Sequence, residues 1–258
     1  MFEENLDASV ITVGLTTRFI GKRVLYYPRV TSTNEIARQQ ALRKAPEGTA
    51  VIADIQTAGR GRLKRQWVTP HGNIAVTVIL YPSRKDLQYL TMLAALAVSH
   101  TIEATTKLKC QLKWPNDVLI NNKKVCGILL ESQAETEGVK YTIVGIGINV
   151  NMKLADYPEI ATIATSLADE SGKEVSRLAL LRNLFVDIEK LYLGLQAGKT
   201  PLGEWRNSLI TIGKKIHVRS GDDLFEGTCE SVADDGSLML RCESGELLKF
   251  MAGDVTLK

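Results

Sequence analysis

The sequence is poor in the residues that build metal and disulfide sites. Among its 258 residues are four cysteines and three histidines. Cys110, Cys126, Cys229 and Cys242 form no CxxC pair, and His71, His100 and His217 are scattered. That spacing excludes a zinc ribbon or finger, and free thiols suit a reducing compartment. Long apolar runs are missing too, which excludes a membrane-spanning helix of the ~20 residues a bilayer needs. The first residues, MFEENLDASVITVGL, open acidic, without the cationic start and continuous apolar core of a secretory signal. A cytoplasmic location with no membrane partner is therefore expected. There is no G-x-S-x-G elbow and no HExxH, so nothing favours nucleophilic or zinc hydrolysis.

The stretch GLQAGKT (Gly194 to Thr200) falls one residue short of a phosphate-binding loop. It also follows an expected helix rather than a strand, and Pro201 comes next. Any ATP must be bound by another device. The formal charge of +3 is too mild to imply nucleic acid by itself.

What is present is the balance of a globular protein, with 45% hydrophobic and 24% charged residues, enough to build one sizeable domain and a smaller one. RVLYYP (residues 23–28), TAVIADI (49–55) and NIAVTVIL (73–80) read as strands. Residues 33–44 read as a helix, with Ser32 at the N-cap and Glu35 at capping-box spacing. Residues 87–106 carry Leu90, Leu93, Ala97 and Thr101/Ile102 at helical period, predicting one buried face. CQLKW and DVLI are short strands broken at Pro115, followed by a turn at NNKK. VCGILLES and YTIVGIGINV are two further strands, joined by a turn at Glu137-Gly138. Residues 176–193 predict a second long helix with Leu181, Phe185, Ile188 and Tyr192 on one face, and residues 198–207 a short helical connection. From Lys214 onward, short strands alternate with turn signals, the texture of a small β-barrel. The division falls between residues 1–211 and 212–258.

One loop concentrates charge. TAGRGRLKRQW (Thr57 to Trp67) holds Arg60, Arg62, Lys64 and Arg65 with two glycines and a tryptophan. Guanidinium groups fit carboxylate and phosphate oxygens, glycine lets backbone approach a ligand, and Trp67 offers a stacking face. On charge alone a solvated or RNA-binding loop is an equal reading. KWPND (Lys113 to Asp117) and Lys124 then add polar groups at a strand break. TSTNE puts Ser32, Thr33 and Asn34 at a helix start, where backbone N–H groups are free. The Gly-x-Gly of VGIGINVN is weak as a nucleotide signature, because no third glycine or helix start follows.

Taken together, GRGRxxR with Trp67, KWPND, Lys124 within KVCGIL, and GIGIN ending at Asn149 resemble the biotin–protein ligases. Ser32-Thr33-Asn34 falls where that family has the same tripeptide. The motifs cover roughly residues 23–152, and the small barrel fits the family's C-terminal domain. The resemblance implies an α+β fold. A mixed β-sheet catalytic domain flanked by helices, of the biotin/lipoate ligase-like and class II synthetase-like kind, would carry an SH3-like barrel. It implies two steps: biotin and MgATP give biotinyl-5′-AMP, and a lysine of a biotin carboxyl carrier protein then takes the biotin. About twenty residues precede the first expected strand. That is short for the DNA-binding module some members carry, so no DNA partner and no repressor activity are expected. Homodimer pairing through the central sheet is part of the same resemblance.

The resemblance also implies roles. Ser32, Thr33 and Gln56 would bond the biotin ureido ring, with Asn34 supporting them. Arg60, with the Gly61-Arg62 backbone, would hold the biotin carboxylate region. Arg62 and Arg65 would meet ATP phosphates, and Trp67 would stack on adenine. Lys124 would be the catalytic cation between carboxylate and α-phosphate, acting with Arg60. Asn116, Asp117 and Asn149 would face the nucleotide or its Mg2+, with Asp117 the candidate carboxylate for the metal. Lys113 would meet ATP or pair with a carboxylate. The loop Gly59 to Trp67 is expected to order only over bound ligand. The rivals are a lipoate–protein ligase and an RNA-binding module.

Overall fold

The computed structural model describes residue 4, residues 6–135 and residues 138–257. The chain begins with helix α1 (Ala8–Thr12) and strand β1 (Val24–Val30), followed by α2 (Thr33–Leu42), β2 (Ala50–Gln56) and β3 (Ile74–Leu80). Helix α3 (Leu90–Thr106) leads to β4 (Gln111–Lys113), β5 (Asp117–Ile120), β6 (Lys123–Glu135) and β7 (Gly138–Ile148). These seven strands form one mixed sheet in the order β1-β2-β3-β7-β6-β5-β4. Only β1 and β2 run parallel, because α2 carries the chain back between them. All seven residues of β3 are buried, as its unbroken apolar run requires of a strand covered on both faces. Asn121 and Asn122 both sit at positive φ (50° and 64°), the conformation of a tight hairpin turn between β5 and β6. Of the turn expected at Glu137-Gly138, Glu137 lies outside the described residues.

Helix α3 corrects one expectation. The period at Leu90, Leu93, Ala97 and Ile102 predicts a single buried face, yet Met92, Ala94, Ala95, Leu96, Val98 and Ser99 are buried as well. Short helix α4 (Leu167–Ser171), long α5 (Arg177–Gln196) and α6 (Leu202–Ser208) complete the helices. α3 is packed between the sheet on one side and α5 and α6 on the other, so a helix apolar nearly all round is what the site demands.

Helix α5 buries Leu181, Phe185, Ile188 and Tyr192 as the period predicts. It also buries two charges. Arg177 pairs with Asp54 at 2.7 Å. Glu189 accepts backbone N–H bonds from Arg18 (2.5 Å), Phe19 (2.8 Å) and Ile20 (3.0 Å), tying the N-terminal segment to the core.

The C-terminal strands β8 (Lys215–Ser220), β9 (Asp223–Val232), β10 (Leu238–Arg241), β11 (Leu247–Phe250) and β12 (Asp254–Leu257) form an antiparallel sheet ordered β11-β10-β9-β8-β12. This is the sheet of a small SH3-like barrel domain; no ladder joins β11 to β12 among the described residues. Trp114 bolts it to the larger sheet. The indole is 1% exposed, its Nε1 donates to the Gly236 carbonyl at 2.9 Å, and its backbone N–H donates to Thr211 Oγ1 at 3.1 Å.

Candidate active site

A cavity of about 680 Å³ opens where β2, β6 and β7 meet the cationic loop, residues 160–164 and strand β12. That is the size of a small-molecule site. Every candidate residue lines it: Ser32, Thr33, Asn34, Gln56, Arg60, Gly61, Arg62, Arg65, Trp67, Lys113, Asn116, Asp117, Lys124 and Asn149. Arg60, Arg62 and Arg65 of the loop line this cavity, which weakens the RNA-binding reading.

One end is neutral and cross-linked. Ser32 precedes α2 as its N-cap, but its side chain makes no capping bond and Glu35 does not complete a capping box; Ser32 lines the cavity instead. The Thr33 backbone N–H donates to Gln56 Oε1 at 2.8 Å, and Gln56 Nε2 donates to Thr69 Oγ1 at 3.0 Å. Beneath them Thr77, fully buried in β3, lies 2.8 Å from Thr33 Oγ1 and donates to Asn34 Oδ1 at 2.7 Å. Asn34 Nδ2 continues the chain to Glu131 Oε2 at 2.7 Å. A Cβ at Gly145 would collide with Asn34 Oδ1, so only glycine lets Asn34 lie against β7.

The other end is cationic, and each cation is held. Lys124 Nζ lies 2.5 Å from Asp117 Oδ1 and 5.4 Å from the Trp67 ring centroid. Its backbone is pinned through bonds with Ile163 and Thr165, each 2.9 Å. Arg62 donates to Asn116 Oδ1 at 3.1 Å, and burial draws its pKa down against the pull of Asp117 and Asp254. Arg60 Nη2 lies 3.7 Å from Glu131, and Arg65 pairs with Asp254 of β12. The loop itself folds back as a small hairpin: Gly61 N–H donates to the Arg65 carbonyl at 2.7 Å and Trp67 N–H to the Gly59 carbonyl at 2.9 Å. Half-buried Trp67 lies across β6 and β7, where a side chain at Gly147 would run into the indole.

The chain is matched by the biotin/lipoate A/B protein ligase family over residues 26–149 and by the biotin protein ligase C-terminal domain over residues 211–258. The bifunctional ligase/repressor BirA of Bacillus spizizenii is 40% identical over 258 residues, covering 98% of this chain and 79% of that one. The biotin–[acetyl-CoA-carboxylase] ligase of Paracoccus denitrificans is 36% identical over 232 residues, covering 84% and 93%. This chain belongs to the biotin–protein ligase family. It is an ATP-using carbon–nitrogen ligase. The solved biotin protein ligase of Aquifex aeolicus, in complex with biotin and ATP, superposes with a TM-score of 0.73 at 29% identity, over 92% of this chain and 99% of that one.

Several of the expected contact residues also brace the walls of the cavity. Lys113 pairs with Asp117 at 3.4 Å, the carboxylate pairing the sequence offered as one alternative, and donates to the Val255 carbonyl at 3.2 Å, joining KWPND to β12. Asn116 Nδ2 donates to the Ile128 carbonyl at 2.6 Å while its oxygen holds Arg62. Asn149 Nδ2 donates to the Thr165 carbonyl at 3.1 Å, fixing the loop that roofs the cavity. Both Asp117 oxygens face lysines. No cluster of three metal-ligating side chains occurs among the described residues. Sequence reasoning missed Thr77, Glu131, Asp254 and the roof residues Ile160, Ile163 and Ala164. For Thr77 and Glu131 the signal was a polar residue beside an apolar run.

Proposed function

We propose that the protein activates biotin as biotinyl-5′-AMP and transfers it to a lysine of a biotin carboxyl carrier domain. In the first step a biotin carboxylate oxygen bonds to the α-phosphorus of ATP, and the bond to pyrophosphate breaks. In the second the acceptor amine bonds to the acyl carbon, and AMP leaves. Neither step needs a protein nucleophile. The first brings two anions together, at a cost of about 4 kcal/mol per charge pair at 4 Å and an effective dielectric of 20. Fixed cations offset that cost.

One observation carries the reading: a single cavity joins a neutral, hydrogen-bonding end to a cationic end. Ser32, Thr33 and Gln56 suit a ureido ring, which offers one carbonyl and two N–H groups. Lys124 stands at the junction, where carboxylate and α-phosphate would meet. Arg60 covers the acyl group, Arg62 and Arg65 take the phosphates, and Trp67 stacks on adenine. Magnesium arrives with the phosphates of ATP. The catalytic unit spans residues 1–211 and the barrel 212–258, with Asp254 facing Arg65 across them.

The same reading includes three finer points. The loop Gly59 to Trp67 tightens over ligand, so biotin with ATP should slow its hydrogen exchange; unchanged exchange would count against closure. The ligase is expected to act without operator binding. A specific, salt-resistant DNA complex would refute that. The protein works in the cytoplasm, consistent with its four free cysteines, and pairs as a homodimer through the central sheet. Light scattering over a concentration series tests the pairing.

The deciding experiment is mass-spectrometric detection of adenylate from purified protein, MgATP and one acid at a time: biotin, lipoate or octanoate. Biotinyl-adenylate alone is expected. A lipoyl or octanoyl product would keep the fold and overturn the substrate.

A further inference from the structure

We propose that Glu131 is a positioning residue of the ligation reaction: its carboxylate anchors Arg60 over the bound acyl-adenylate and ties that arginine to the biotin end of the cavity. This rests on the reading that Arg60 retains the adenylate.

An acid beside a site for two anionic substrates is a liability unless something holds it to a cation. Glu131 stands just outside the residues that line the cavity. Its Oε2 receives Asn34 Nδ2 at 2.7 Å and lies 3.7 Å from Arg60 Nη2. Asn34 in turn is fixed by Thr77, which also touches Thr33. A continuous chain of contacts therefore runs from the α2 start, through β3 and β6, to the stem of the cationic hairpin. Arg60 itself sits on a hairpin held mainly by its own backbone bonds. A long arginine on such a loop loses much rotamer freedom when it is fixed. Glu131 supplies the fixed point. The side chains of Arg60 and Glu131 are 43% and 35% exposed, so the pair is weak enough for the loop to open for product release.

The test uses the intact enzyme with MgATP and biotin. It compares wild type, Glu131→Gln, Glu131→Asp, Arg60→Gly and the Arg60→Gly/Glu131→Gln double variant, each checked for folding by thermal melting. Two quantities are read: free biotinyl-adenylate in an ultrafiltrate, and biotin on lysines of a bystander albumin relative to an acceptor domain. Glu131→Gln keeps an oxygen for Asn34 and removes only the charge. It should raise leak about threefold or more, the scale of a partly exposed ion pair. Glu131→Asp should leak less, because it keeps the charge. In the Arg60→Gly background the glutamine should add nothing, since Glu131 acts through Arg60. Wild-type retention by Glu131→Gln, alongside a leaking Arg60→Gly, would overturn the inference and leave the ligase reading intact. Additive leak in the double variant would also overturn it, because Glu131 would then act through Asn34 alone. Adenylate retained by Arg60→Gly would strike the reading of Arg60, and the inference with it.

Discussion

The two ends of the cavity are built on opposite plans. At one end Thr33, Asn34, Gln56, Thr69 and Thr77 are neutral and bond to one another, and four of the five are buried or nearly so. At the other end Arg60, Arg62, Arg65 and Lys124 are charged and partly exposed, and each rests on an acid or an amide. The neutral end is preorganised: its groups bond to one another, so shape and hydrogen-bond direction select the ligand. The cationic end is preloaded. Its charges rest on partly exposed acids and an amide, so it can bind and release a charged intermediate.

The sharpest way to break the contrast is Lys124→Ala. It removes the cation at the junction and leaves the neutral end untouched. Adenylate formation should fall by about 10²–10³, the usual loss for one preorganised electrostatic contact. Biotin should still bind. Pyrophosphate release and calorimetry read the two quantities separately. Near-normal turnover in a folded variant would remove Lys124 from the chemistry.

Thr77→Val attacks the other end. The substitution keeps shape and deletes the hydroxyl that donates to Asn34 and touches Thr33. A buried acceptor left without its donor costs about 1–3 kcal/mol, so biotin affinity should fall about tenfold. ATP affinity should not move. Equal losses for both ligands would show that the two ends are not separable.

These two residues also mark what the sequence can disclose. Lys124 is legible because it lies eleven positions from Lys113, within one strand-turn-strand unit whose partners are local. Thr77 is not legible. It stands in the apolar run NIAVTVIL, and only the pairing of β3 with β2 and β7 brings it beneath α2. Glu131 and Asp254 are hidden for the same reason: their partners are 71 and 189 residues away in the chain. Elements whose pattern is local, such as α2, α5 and the Asn121-Asn122 turn, could be read directly. The central position of α3 could not, since its period gives one face and the fold covers nearly all of it. Side-chain capping at Ser32 was misread because Gln56, from another strand, satisfies the next backbone N–H instead.

The smallest expected effect comes from an acid that holds no cation at the site. The carboxylates of the cationic end are partly exposed; Glu189 is 6% exposed and receives three backbone N–H groups. Burial raises its pKa, but those N–H bonds outweigh burial and hold it below the ordinary 4.5. A carboxylate with a depressed pKa in the folded state stabilises the fold above its unfolded pKa. That contribution is lost as pH falls from the ordinary value through the depressed one. Glu189→Gln keeps one acceptor oxygen and loses the charge, at a cost of about 1–2 kcal/mol near neutral pH. Melting temperature of the variant should lie below wild type at pH 7, and the gap should narrow as pH falls below the ordinary 4.5. Parallel melting curves across that range would mean that Glu189 acts through packing alone. Catalysis by a folded Glu189→Gln enzyme should match wild type, because this acid anchors the N-terminal segment and lies apart from both ends of the cavity.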